Sequence, residues 1–284
     1  MKARPSGARS GARRPAPRRR RWSRTACRLR RCRSCRAATT DVAAGWGGVA
    51  RSLRVYRLDR RHAEGLRRFY RPFAGPGDLV FDVGAHVGDR TAAFRALGAQ
   101  VVAVEPQARL ARVLRVLHGR DPGVTVVATA LGPEPGVAAL KVNAANPTVS
   151  TLSAGFVAAA AAAPGWEGQR WDAAETVAVD TLDNLIARHG APAFVKIDVE
   201  GFEAEVLAGL SAPPPALSFE VVMAARGAAA AALDRARALG YRAFRLSLRE
   251  SHVWAGDWAG GAAMAATLAA LPDAANSGDV YCRL

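Results

Sequence analysis

Between residues 74 and 284 the apolar pattern switches repeatedly between short continuous runs and helical spacing. "LVFDV", Leu79 to Val83, is an apolar run broken only by Asp82, which predicts a buried strand. A helix is predicted from about Asp89 to Leu97, closed by Gly98. "QVVAVEP" reads as a second strand ending at Glu105, followed by a helix over about Ala108 to His118. Val124 to Leu131 and Gly136 to Val142 read as further strands, and residues 143–175 as the least regular part. Beyond it "ETVAVDTLDNLIARHG" predicts a strand and then a helix starting near Asp180 or Thr181. "AFVKIDVEG" predicts a buried strand, "FEAEVLAGL" a helix, and "ALSFEVV" a strand. "GAAAAALDRARALG" predicts a helix ending at Gly240, and "YRAFRLSL" and "GDVYCRL" the last strands, with "AAMAATLAAL" a possible helix between them.

Strands alternating with helices imply an α/β fold, a parallel sheet covered on both faces. The closing strands fit an antiparallel pair at one edge. Ahead of the "AGPGD" turn, residues 41–73 show a rough helical period and predict a helical lead-in of one or two short helices.

Charge changes the picture only once it is mapped. The chain carries a formal net charge of +16. Residues 1–40 hold fourteen Arg, one Lys and no acid, leaving 25 basic against 24 acidic residues elsewhere. The tail has almost no aliphatic side chains and reads as disordered. Three readings of it stay open: an arm for nucleic acid or an anionic surface, a transit peptide, or translated sequence upstream of the start. The near-neutral remainder makes nucleic acid the less favoured partner. No apolar segment suits a secretory signal or a membrane span, so a cytoplasmic protein is expected. Cys27, Cys32 and Cys35 lack a nearby fourth ligand, so no metal site is assigned to them; Cys282 stands alone.

The candidate chemistry begins at "LVFDVGAHVGDRT", Leu79 to Thr91. A glycine turn between strand and helix, with Glu105 about 20 residues on at the end of the next strand, suits an adenosine-containing cofactor. A carboxylate with two oxygens can accept from both hydroxyls of a ribose. The run is D-x-G-x-x-x-G rather than the dinucleotide G-x-G-x-x-G, and Asp82 would repel a pyrophosphate. It suits S-adenosylmethionine, which is cationic and has no phosphate. In "VKIDVEGFEAEVLAGL", Asp198 and Glu200 end a buried strand, Gly201 permits a sharp turn, and Glu203 and Glu205 fall in the first turns of a helix. A carboxylate on so apolar a strand needs a partner or a role.

With "FDVGAHVGDRT", "VVAVEPQ", "VAVDTLDNLI", "VKIDVEGFEAEVLAGL", "SFEVV" and "GDVYCRL" in this order, the chain resembles the FkbM family of S-adenosylmethionine-dependent methyltransferases from about residue 78 to 284. The resemblance implies a Rossmann-like class I methyltransferase domain over 74–284, with a mostly parallel seven-stranded sheet. It implies methyl transfer to a hydroxyl of a sugar, glycan or secondary metabolite. It places Asp82, Gly84 and Gly88 at the methionine end, Glu105 at the ribose, and Asp198 and Glu200 at the transfer centre. His86 stands where the family often has Asn; both can donate a hydrogen bond, so cofactor binding is expected to survive.

Asp198 is the first candidate for the base, with Glu200, Glu220 and His252 behind it. Asn146, Ser150 and Ser153 are within the loop that would reach substrate or cofactor, or simply satisfy its backbone. The alternatives are a nucleic-acid methyltransferase using the basic tail, and a catalytically silent cofactor-binding module. The sequence does not indicate the oligomeric state.

Overall fold

β1 (Leu79–Val83) is the centre from which the site is built. It pairs in parallel with β2 (Gln100–Val104) on one side and β7 (Phe194–Ile197) on the other. The computed structural model describes residues 46–284, and the Arg-rich tail with Cys27, Cys32 and Cys35 lies outside them. With β3 (Val124–Val127), β8 (Ala216–Val222), β9 (Ala243–Leu248) and β10 (Ser277–Arg283), these strands form one sheet in the order β3-β2-β1-β7-β8-β10-β9. β10 runs antiparallel to both neighbours. The antiparallel pairings at this edge are therefore β10 with β8 and β10 with β9, and the remaining pairs are parallel.

Strand alternation divides the core into two faces. Phe81, Val83, Val195, Ile197, Leu217 and Phe219 face the apolar cluster that includes Leu182, Leu207 and Leu233. These come from helices α5 (Leu182–His189), α6 (Glu203–Ala208) and α7 (Arg226–Ala238). On the other face, Val80, Phe194 and Tyr281 pack with Leu66 and Tyr70 of α1 (Arg60–Tyr70) and Phe94 of α2 (Asp89–Ala96). The lead-in thus contributes to the sheet's own core. Asp59 caps α1, its carboxylate accepting from the Arg61 and His62 N–H groups. Val49, with Leu53 and Tyr56 against it, packs on Val87 and on Leu110 of α3 (Ala108–His118).

Two features differ from the sequence expectation. The strand expected over Val124 to Leu131 breaks after Val127, and β4 (Ala130–Leu131) leaves for a second sheet of order β4-β6-β5. Its other members are β5 (Gly136–Val142) and β6 (Ala173–Asp180), paired antiparallel. Within the region expected to be irregular, the alanine run forms α4 (Ala154–Ala162), whose N-terminus Ser153 caps by accepting from the Phe156 N–H at 3.0 Å.

Tyr241 closes the core beside α7 (1% exposed), and its hydroxyl donates to the Pro214 carbonyl at 2.8 Å. Tyr241→Phe leaves that carbonyl unpaired. Its expected cost is about 1–2 kcal/mol, read as a lower urea midpoint at unchanged m-value.

Candidate active site

The strand order reverses between β1 and β7, so the chain ends of β1, β2, β7 and β8 open toward one crevice. A cavity of about 480 Å³ lies there. That is within the range of a cofactor pocket, roughly 300–1,000 Å³.

The turn after β1 is shaped by close approaches. Gly84 and Gly88 take φ of 82° and 77°, which a side chain disfavours. A Cβ on Gly84 would run into the backbone carbonyl of Asp198, so glycine is what lets β1 and β7 converge at their ends. A Cβ on Gly88 would strike Leu114 of α3. Gly84 borders the cavity, whereas Gly88 serves the packing behind it.

Asp82 sits elsewhere than its place before the glycines suggested. It is 1% exposed, accepts from Thr91 Oγ1 at 2.5 Å, and does not border the cavity. Alternation points it to the α2 side of the sheet, where it ties β1 to α2 beneath the turn. Burial pushes its carboxyl up to about 6, against the Thr91 hydrogen bond.

Glu105 is the hinge between the two strand ends. Its Oε2 accepts from the His86 N–H at 2.9 Å and its Oε1 from the Gln107 N–H at 2.8 Å. It borders the cavity although only 3% exposed, and burial pushes its carboxyl up to about 8. Gln107 extends the link, donating from Nε2 to the Pro147 carbonyl and accepting from Ser150 Oγ. Asn146 and Ser150 border the cavity, while Ser153 is the α4 cap. His86 also borders it, with φ of 50° and its Nε2 3.5 Å from Thr148 Oγ1. Burial lowers the imidazole to about 4, so it is neutral at physiological pH.

A second group of charges braces the turn, and three of its members, Asp89, Arg90 and Glu250, also line the cavity. Asp89 takes His62 Nε2 at 3.0 Å and Arg90 Nη1 at 2.9 Å, and Arg90 Nη2 reaches Glu250 Oε1 at 2.6 Å. His252 Nε2 lies 3.4 Å from Glu250 Oε2. His252 therefore belongs to this brace, away from Asp198 and Glu220. The hydrogen bond to Asp89 raises the His62 pKa, against the cost of burial. A raised folded-state value means stabilisation that is full below about pH 6.5 and lost as pH rises through the folded pKa. Thermal melts of wild type and His62→Gln are expected to differ most below about pH 6.5 and to converge as pH rises through the raised folded-state pKa.

At the ends of β7 and β8 the acids converge. One carboxylate oxygen from each of Asp198, Glu200 and Glu220 lies within 4.8 Å of the other two. Glu200 takes φ of 57°, unusual for a residue with a side chain, and is 6% exposed. Burial first, and then Asp198 beside them, raise Glu200 and Glu220 well above the usual carboxylate range. Glu203 (2% exposed) uses Oε1 to accept the Val199 and Gly201 N–H groups at 3.1 Å, shaping the turn into α6. Lys196, wholly buried, sets Nζ 3.2 Å from Asp198 Oδ2 and 2.8 Å from Asp279 Oδ1. Burial works against its charge, yet those two carboxylates raise its pKa.

Of the residues singled out from sequence, Gly84, His86, Glu105, Asp198, Glu200 and Glu220 share the cavity. Lys196, Gln107, Arg90 and Glu250 were missed. A lysine inside the apolar run "FVKI" was a usable signal, since burying it requires acids nearby. The others carry no local pattern.

The residues fit a cationic adenosyl cofactor: an acid with both oxygens at the end of β2, a close backbone turn, and further carboxylates along β7 and β8. A family model described as a methyltransferase FkbM domain matches residues 82–241, more than half the chain. No curated protein matches the chain. Solved structures similar to it include a TehB-like SAM-dependent methyltransferase from Corynebacterium glutamicum, 12% identical, covering 87% of this chain and 98% of that one at a TM-score of 0.43. An O-methyltransferase from Bacillus cereus in complex with SAH is 11% identical, covering 87% and 91% at 0.40. A precorrin-6y C5,15-methyltransferase from Geobacter metallireducens is 11% identical, covering 80% and 90% at 0.40.

Proposed function

The chain belongs to the FkbM family of methyltransferases, with S-adenosylmethionine as cofactor, and from that premise we propose that it methylates a hydroxyl oxygen of a sugar, glycan or secondary metabolite. When bound, the cofactor supplies an electrophilic methyl carbon. Glu105 receives the ribose hydroxyls, and the Gly84–His86 backbone borders the methionine end. Asp198 is the observation that carries the reading. Its carboxylate is 24% exposed, at the cavity wall, and the Lys196 ammonium behind it is the counter-charge to a proton-accepting carboxylate. It takes the proton that the acceptor hydroxyl gives up as its oxygen forms the bond to carbon. Glu200 lies beside it and orients the acceptor.

Full-length protein incubated with methyl-labelled S-adenosylmethionine and a panel of sugars, glycosides, hydroxylated metabolites, amines and RNA tests this. One label on an oxygen of a hydroxylated small molecule or glycan is the expected product. Label found only on nitrogen, carbon or RNA would overturn the proposal.

A further inference from the structure

Asp198, Glu200 and Glu220 reach one point from the end of β7, the turn beyond it, and β8. Two of these acids have no evident counterpart. Among the described residues the hydrogen bond Glu200 accepts goes to its backbone carbonyl, from Thr151 Oγ1 at 2.8 Å, although the side chain is buried and borders the cavity. Glu220 Oε2 is out of solvent and has no hydrogen-bond partner among them. Buried polar atoms are ordinarily satisfied, so Glu220 Oε2 points to something that occupies the space beside the buried Glu200. Lys196 is shared by Asp198 and Asp279 and hydrogen-bonds neither glutamate. Glu203 is already engaged by the Val199 and Gly201 N–H groups. The one cation bonded to this cluster, Lys196, is thus outnumbered by its carboxyl groups.

We propose that Asp198, Glu200 and Glu220 form a binding site for one hard divalent cation of the Mg²⁺, Mn²⁺ and Ca²⁺ class. The donor set is three carboxylates with no nitrogen or sulfur, which selects oxygen-seeking ions over zinc or copper. Opposite ligands of an ion lie about 4.2 Å apart for Mg²⁺ and about 4.8 Å for Ca²⁺, from their usual bond lengths. One carboxylate oxygen from each residue lies within 4.8 Å of the other two, so no pair is farther apart than opposite ligands of a Ca²⁺ ion. Three protein ligands leave positions open toward the cavity. This deepens the O-methylation reading and rests on it for one point, that an open position takes the acceptor oxygen and so fixes it beside the transfer centre.

The test uses the full chain stripped with a chelator and titrated with Mn²⁺, free ion being followed by electron paramagnetic resonance. One equivalent should bind, and Ca²⁺ or Mg²⁺ should displace it. Glu220→Gln and Glu200→Gln should each weaken binding by about tenfold or more, with the fold checked by circular dichroism. If either variant does not fold, Asp198→Asn replaces it. No saturable Mn²⁺ binding in the millimolar range, or unchanged affinity in the folded variants, overturns the site. S-adenosylmethionine binding is measured separately on the same protein by calorimetry. Cofactor binding without Mn²⁺ binding overturns the cation site alone; Mn²⁺ binding without cofactor binding overturns the methyl-transfer reading and leaves the cation site standing.

Discussion

Glu105→Ala is expected to weaken S-adenosylmethionine binding by more than about 100-fold, close to 3 kcal/mol. Two losses combine. The ribose loses an acceptor with two oxygens, and the His86 and Gln107 N–H groups lose the partners that hold the turn against the end of β2. Calorimetry on the folded variant measures it, and an affinity within twofold of wild type removes Glu105 from the cofactor site. The wild type should also show a pH signature. Burial holds the Glu105 carboxyl at about 8, so the empty site is largely protonated at neutral pH. Accepting two ribose hydroxyls favours the carboxylate, so cofactor affinity should rise between about pH 6 and pH 8 and then level. Stability moves the other way. A carboxyl with a raised folded-state value is favoured protonated in the fold, so its contribution falls as pH rises from about 4.3 through about 8. Glu105→Gln should lose both dependences.

Asp198→Asn is expected to lower kcat by about 10²- to 10⁴-fold while leaving cofactor affinity unchanged. Asparagine keeps a carbonyl oxygen for Lys196 and keeps the backbone carbonyl against Gly84, so the architecture of the turn survives. What it removes is the ability to hold a proton. Single-turnover kinetics with a saturating acceptor separates the step from product release. Turnover near wild type would exclude Asp198 as the proton acceptor.

Much of this site is legible in the residue pattern alone. Glu105 and Asp198 each follow an apolar run, and in a parallel sheet successive strand ends meet on one side. Asp82 shows where such reading stops. Its position before the glycines suggests a ligand contact, but the alternation of β1 turns it to the Thr91 side of the sheet. The stretch Val124 to Leu131 shows another limit. It reads as one strand, but its end leaves for the second sheet, where Ala130 pairs with Val179, and no local period marks that break.

The sequence by itself determined the order of strands and helices, the two glycine-dependent turns and the acids at their strand ends, because these depend on local periodicity and backbone freedom. Only the tertiary structure decided which charges meet. Ile197 pairs with Phe219, and one residue further along that register Asp198 comes beside Glu220. Lys196 finds Asp279 from 83 positions away in the chain. Likewise His62 closes on Asp89 only because α1 packs beside α2, and Arg90 reaches Glu250 from 160 positions away. Such pairings are set by strand register and helix packing over long chain separations. The local pattern carries the residue types, and the fold supplies their distances.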